Sequence, residues 1–324
     1  MTLAIFLKPK TAENSVLGIT DEQIARIKAA FPLLDVVLAK QPDGSDLVEQ
    51  GIQAEIIMAN DKDMSFCHYC KKDKALRWIH NILSGTDNIL AEPYFNGLPG
   101  LIITNSRGVH GKAITDHVMA GILYFARTFN LLLTNQKKHQ WNRTEPEETE
   151  GKVLGIIGMG QIGRVLASRA KAFEMTILGV KRSYEEIPFV DELFLSDKID
   201  EVIRRSDYLV LLTPYSQETH NLMNADKFSL MKPTSIFINV SRGKCCDNNA
   251  LYEALHSRKI AGALIDAYEP EPMPEQDPLW ELENVIITPH MAAASPISFD
   301  HMIDLFIKNL DRFQSGQSML TRVL

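Results

Sequence analysis

Val153-Leu-Gly-Ile-Ile157-Gly158-Met-Gly160-Gln-Ile-Gly163, continued by Arg-Val-Leu-Ala-Ser-Arg-Ala-Lys-Ala-Phe173, is the stretch that decides the fold. Its opening apolar run, Val153–Ile157, reads as a buried strand. The residues after Gly160 carry a helical period, predicted over Gln161–Phe173, and a second apolar strand, Thr176–Val180, follows. Gly-x-Gly-x-x-Gly is a weak signal alone but a strong one between a strand and a helix. Gly158 permits the tight turn. Gly160 has no side chain to hold a pyrophosphate away from the backbone, and Gly163 lets the helix pack closely on the strand. The free amides of Gln161 and Ile162, at the positive end of the helix dipole, then face phosphate. A dinucleotide is the expected ligand.

The end of the second strand chooses between dinucleotides. A carboxylate there binds a ribose 2′-hydroxyl and favours NAD. This chain reads Gly179-Val-Lys181-Arg182-Ser183, with no acid. Lys181 and Arg182 could pair with a 2′-phosphate and Ser183 could hydrogen-bond it, so NADP is the preferred cofactor and NAD the other. The ordinary alternative is a solvated pair of surface charges.

Downstream, further strands are predicted at Tyr208–Leu212, Ser235–Val240, Gly262–Ile265 and Val285–Thr288, with helices at Ile199–Arg205 and Asn248–Ser257. Upstream, apolar runs alternate with helical patterns from Leu3–Leu7 through Asp21–Phe31, Leu33–Leu38, Leu47–Gln50, Ala54–Ala59 and Lys71–Trp78. This is an α/β chain with parallel sheets. The turn-rich segment from Ala91 to Gly100 reads as a hinge. A long helical pattern runs from about Gly111 to Gln140, and an amphipathic one from Ser298 to Gln314.

Composition narrows the classes. A chain of 324 residues exceeds one ordinary domain, so two are expected. A net charge of −7 argues against nucleic acid as a partner. The start, MTLAIFLKPK, reads as a first buried strand and not as a signal peptide. The apolar region Val118–Leu133 is interrupted by Arg127 and Asn130 and is too short to span a bilayer. No membrane is expected, and a cytoplasmic location is. Cys67 and Cys70 form the only CxxC, and Cys245 and Cys246 are adjacent. A structural zinc needs four ligands, so no metal is expected and the thiols read as reduced.

Three segments end predicted strands with polar groups: Asn239-Val-Ser-Arg242-Gly243, Asp266-Ala-Tyr-Glu-Pro-Glu271-Pro272 and Thr288-Pro-His290. In open α/β sheets ligands gather outside the carboxyl ends of the strands. Reduction of a 2-keto acid needs a planar cation for the carboxylate and a proton donor for the carbonyl. It also benefits from a carboxylate that orients the donor. Arg242, His290 and Glu271 suit those roles. Each has an ordinary reading too: a structural ion pair, a loop histidine, a solvated acid in a proline-rich turn.

With Gly85-Thr-Asp87, Thr104-Asn-Ser-Arg-Gly-Val-His110 and Gly262-Ala-Leu-Ile-Asp-Ala267 added, the chain resembles the D-isomer-specific 2-hydroxyacid dehydrogenase family. The resemblance is closest to the glyoxylate/hydroxypyruvate reductase branch. It covers essentially the whole chain and is densest from Trp78 to Ala294. It implies reduction of small 2-keto acids to D-2-hydroxy acids by hydride transfer. Arg242 would bind carboxylate and carbonyl, His290 would be the general acid, and Glu271 its partner. Asp266 would contact the nicotinamide carboxamide, and Thr213, Pro214, Val240 and Ser241 would line the cofactor. Ser84, Gly85 and Thr86 would offer backbone amides to the substrate carboxylate.

The resemblance also implies two Rossmann-like and flavodoxin-like domains. A cofactor domain, 99–289, would be inserted into a discontinuous substrate domain, 1–98 and 290–324, with hinges near Pro99 and Pro289. The Val118–Leu133 helix would pack in a homodimer interface, and Trp141 would come near the partner's site or simply pack at a helix end. The sequence departs from the family pattern at Lys181, in place of the usual acid. It has Asp116-His117 where glutamate-histidine is more common, and Cys245-Cys246 where small or β-branched residues stand, which suggests thiol sensitivity. The competing reading is a dinucleotide-sensing binding protein or co-repressor on the same fold. The Arg242, Glu271, His290 set tells against it, because a sensor needs no proton donor.

Overall fold

The computed structural model describes residues 1–10 and 18–324. It divides into two compact units, Met1–His110 with Ala294–Leu324, and Gly111–Ala293. The chain stays in the first unit past Pro99 because the strand Ile102–Asn105 pairs with Trp78–Asn81. It stays in the second past Pro289 because Met291 and Ala292 donate to Asp266.

The first unit holds strands β1 (Thr2–Ile5), β2 (Asp35–Leu38), β3 (Ile56–Ala59), β4 (Trp78–Asn81) and β5 (Ile102–Asn105), in the order β2-β1-β3-β4-β5. All pairings among them are parallel. This is the flavodoxin-like order. The helix Asp21–Ala30 begins at a capping box, in which Thr20 and Gln23 satisfy each other's backbone amides. The last helix, Ser298–Gln314, spans the predicted range and belongs to this unit. Its Phe306 stacks on Trp78 at 5.1 Å, and Arg26 pairs with its Asp300 at 2.9 Å. Beyond it, Val323 donates to Ile103 across 2.8 Å, tying the carboxyl end to β5.

The second unit holds β6 (Val153–Ile157), β7 (Thr176–Lys181), β8 (Glu192–Leu195), β9 (Tyr208–Leu211), β10 (Ile236–Asn239), β11 (Gly262–Ile265) and β12 (Val285–Ile287). Their order is β12-β11-β10-β9-β6-β7-β8, again with parallel pairing throughout. Core clusters lie on both faces, so the central strands read as continuous apolar runs while β8 and β12, at the edges, are partly exposed. The chain builds outward from β6 through β7 to β8, then returns to β9 on the other side of β6. The switch point therefore falls beside β6, whose carboxyl end carries the glycine loop.

The single helix expected from Gly111 to Gln140 is two, Gly111–Ala126 and Phe129–Lys137. Thr128, with φ of 55°, breaks it, because a right-handed helix cannot pass through a left-handed residue. Apolar pattern alone does not register that break. The first helix is core: Val118, Met119 and Ile122 are buried, and Gly121 lies where a Cβ would come within 2.5 Å of Leu264. The second helix buries none of its residues. No helix among the described residues is long and apolar enough to cross a membrane.

Candidate active site

The glycine loop is built as its three positions require. Gly158 has φ of 109°, and a Cβ on it would lie 2.8 Å from the backbone of Leu212. A Cβ on Gly163 would lie 2.7 Å from the carbonyl oxygen of Gly158 and 3.4 Å from Ile156 of β6. Gly160 differs: a Cβ there would meet nothing within 4 Å. Packing does not demand this glycine, and its bare face is open to a group from outside. The helix starts at Gln161, so the amides of Gln161 and Ile162 stand ahead of any intrahelical acceptor. Beside the loop, the hydroxyl of Thr213 is buried and has no hydrogen-bond partner among the described residues. An open phosphate cradle with an orphaned hydroxyl next to it fits a dinucleotide.

Lys181 is the last residue of β7, partly buried, with Arg182 and Ser183 exposed after it. Lys181 donates to Glu185, and so does Arg164 from the first turns of the Gln161–Lys171 helix; both reach the same oxygen, Oε1. These cations hold the Glu185 carboxyl below its ordinary range, the Lys181 hydrogen bond contributing most.

Arg242, Glu271 and His290 all lie in the second unit, after the carboxyl ends of β10, β11 and β12. Asn239, buried at the end of β10, accepts from the amide of Ser241 at 3.1 Å and its hydroxyl at 2.8 Å, and donates to Ala267 at 3.2 Å. This fixes the turn that carries Arg242, whose Nη1 donates to Ser241 at 2.9 Å. A Cβ on Gly243 would lie 2.1 Å from the Tyr268 backbone, so the Arg242 turn sits directly against the loop leading to Glu271. Glu271 holds Nδ1 of His290 at 2.7 and 2.9 Å. A carboxylate only accepts, so Nδ1 carries a proton and Nε2 is left for other partners. Pro214 and Val240 flank this region, Pro214 accepting from Thr219 at 2.8 Å and Val240 packing on the core.

His290 has φ of 51°, a left-handed conformation that costs on the order of 1 kcal/mol for a residue with a side chain. Asp266 offsets it. Its carboxylate is buried and accepts from the amides of Met291 at 2.8 Å and Ala292 at 3.0 Å, and from the Thr288 hydroxyl at 2.6 Å. Because Thr288 donates to Asp266, it accepts from Nε2 of His117 at 3.2 Å. Asp266 thus grips the chain on both sides of His290.

In the first unit, Asn105 donates to the Ser84 carbonyl at 2.7 Å and Asn81 donates to the Gly85 carbonyl. A trans peptide points its N–H opposite its C=O. Tying those carbonyls inward therefore turns the amides of Gly85 and Thr86 the other way. Asn81 lies outside the sequence motifs, and Asn105 and Asn239 stand within them without an assigned role. The signal that could have found them is an asparagine at the end of a buried apolar strand, where its amide must find partners.

The cysteines are buried and free. Burial pushes the Cys246 thiol up, and that of Cys67 to about 11, so neither forms the reactive thiolate readily. Burial of both Cys245 and Cys246 argues against the thiol sensitivity expected from that pair. No metal-ligand cluster occurs among the described residues.

A family model described as D-isomer specific 2-hydroxyacid dehydrogenase, NAD binding domain, matches residues 119–292. A glyoxylate reductase of Pyrococcus horikoshii is 36% identical over 252 residues, covering 75% of this chain and 74% of that one. A D-isomer specific 2-hydroxyacid dehydrogenase family protein of Aeromonas salmonicida is 29% identical and superposes with a TM-score of 0.85, covering 100% of this chain and 98% of that one. One from Xanthobacter autotrophicus, solved in complex with NADPH and MES, is 25% identical with a TM-score of 0.84 over 100% and 98%. The chain belongs to the D-isomer specific 2-hydroxyacid dehydrogenase family. It is accordingly an oxidoreductase of the 2-hydroxyacid dehydrogenase class that uses a nicotinamide dinucleotide.

Proposed function

We propose that this protein reduces small 2-keto acids of the glyoxylate and hydroxypyruvate kind to D-2-hydroxy acids, with NADPH preferred over NADH. The observation that carries the chemistry is the bidentate hold of Glu271 on Nδ1 of His290, with Arg242 in the neighbouring turn. The glycine loop would hold the pyrophosphate of a reduced nicotinamide dinucleotide, which would supply the hydride for the carbonyl carbon. As the carbonyl electrons move onto oxygen, Nε2 of His290 gives that oxygen its proton. Glu271 keeps the ring aimed, and Arg242 receives the carboxylate on two parallel N–H groups. Ser84, Gly85 and Thr86 are the first unit's own proposed carboxylate donors, through their backbone amides.

Lys181, Arg182 and Ser183 support the NADPH preference, as does the NADPH bound to the Xanthobacter relative. In this reading Asp266 contacts the nicotinamide carboxamide. A homodimer is part of this reading, with a second copy covering the exposed apolar side chains of Phe129, Leu131 and Leu133.

The test is loss of reduced-nicotinamide absorbance with glyoxylate, hydroxypyruvate, pyruvate and a branched keto acid, using NADPH and NADH. Turnover faster with NADPH, falling roughly 10²- to 10⁴-fold in His290→Ala, is expected. Faster turnover with NADH would discard the cofactor preference and keep the reaction. Tight NADPH binding without turnover of any acid would discard the reaction.

A further inference from the structure

Where a dinucleotide-binding chain of this topology places an acid at the end of its second strand, this one places an acid four residues later, Glu185, and turns it back onto Lys181. The same oxygen takes Arg164 from the phosphate-facing helix. Two of the cations nearest the expected 2′-phosphate are thus already bridged by one carboxylate of the protein itself.

We infer that Glu185 sets how strongly the protein discriminates between NADPH and NADH, by occupying Arg164 and Lys181 in place of a 2′-phosphate. This rests on Lys181, Arg182 and Ser183 being the 2′-phosphate site. When the dinucleotide has no 2′-phosphate, Glu185 keeps both cations compensated, so NADH is tolerated. When it has one, a group of about −1.5 to −2 charge must share those cations with Glu185 or push it aside. The Glu185 side chain is 39% exposed and lies in the stretch between β7 and β8, outside regular structure, so it has solvent to swing into. The discrimination is correspondingly blunted. With its carboxyl held below the ordinary range, Glu185 stays charged near neutral pH, so the effect is a fixed one and not a pH switch.

The test is calorimetric titration of the full-length protein with NADPH, NADH and two fragments, adenosine 2′,5′-bisphosphate and adenosine 5′-monophosphate. Glu185→Gln keeps the shape and removes the charge. Glu186→Gln removes the same charge from the adjacent exposed residue. The ratio of NADH to NADPH dissociation constants is expected to rise roughly fivefold in Glu185→Gln, and the ratio for the two fragments alongside it. In a Lys181→Gln background the rise should shrink, because one of the two cations through which Glu185 acts is gone.

A ratio unchanged within about twofold in Glu185→Gln, or an equal rise in Glu186→Gln, would overturn the inference, the latter by showing a general field and not an occupied site. A wild-type ratio at or below one would instead overturn the NADPH preference. The change on Glu185→Gln would still be read separately.

Discussion

His80 is wholly buried at the third position of β4, between Thr104 at 2.8 Å and Ser106 at 3.4 Å, under Phe306. Trp78 donates to the same Thr104 hydroxyl. That hydroxyl can then donate to Nδ1, leaving the His80 proton on Nε2 toward Ser106. Burial lowers its pKa from 6.5 to about 3, because a charge there would lose its water. Between those values the unfolded chain binds a proton that the folded chain refuses, so stability falls as pH falls from 6.5 toward 3. The loss is about 1.4 kcal/mol per pH unit. Denaturant unfolding at pH 7 and pH 5 is expected to show a drop in the wild type that is smaller by about 2 kcal/mol in His80→Gln, with Trp78 fluorescence following the first unit. Equal drops would mean that His80 takes up its proton while folded. His290 is the contrasting case: exposed to solvent and paired with Glu271.

At the scale of elements, the turns after the strands position the candidate site. The β10 exit depends on two features, Asn239 capping Ser241 and a glycine at 243 that admits the Tyr268 backbone. Gly243→Ala must push the Arg242 turn and the Glu271 loop apart. Misplacement on the scale of an ångström costs roughly a hundredfold in rate. A drop of that order in kcat/KM for the keto acid is expected. Affinity for adenosine 2′,5′-bisphosphate should stay near the wild-type value, because the glycine loop after β6 is untouched. Retained kcat/KM would show that the two loops do not need this approach. The break at Thr128 is the other decision made at this scale. It separates a buried helix from one that exposes its apolar side chains.

At the scale of the whole molecule, those exposed side chains give the last expectation. Phe129, Leu131 and Leu133 are 44–50% exposed, and Trp141 beyond them is 99% exposed. Large apolar side chains left exposed like these are what a partner would cover. Light scattering is expected to give twice the chain mass, and Leu131→Asp with Leu133→Asp to return it to one chain. A wild-type monomer would discard the dimer. Each unit, meanwhile, has its own sheet and core, and how much of that could be read in advance follows the range of the forces involved. Val153–Ile157, Gly262–Ile265 and Ser298–Gln314 have the bounds their patterns predicted, because hydrophobic period and glycine spacing act over a few neighbouring residues. The dinucleotide loop was legible for the same reason, and so was the family. The short strand β8 and the turn at Thr128 were not, since an edge strand and a left-handed residue leave little trace in an apolar pattern. Nor were the partners of the polar groups, the Glu271–His290 pair that the resemblance implied apart. Asn105 meeting Ser84, Asp266 gripping the residues around His290, and Glu185 returning to Arg164 join positions far apart in the chain. By itself the sequence determined the elements and the chemistry available at the strand ends. Only the tertiary structure decided which donor meets which acceptor, because that depends on strand order and loop packing, and no local propensity carries it.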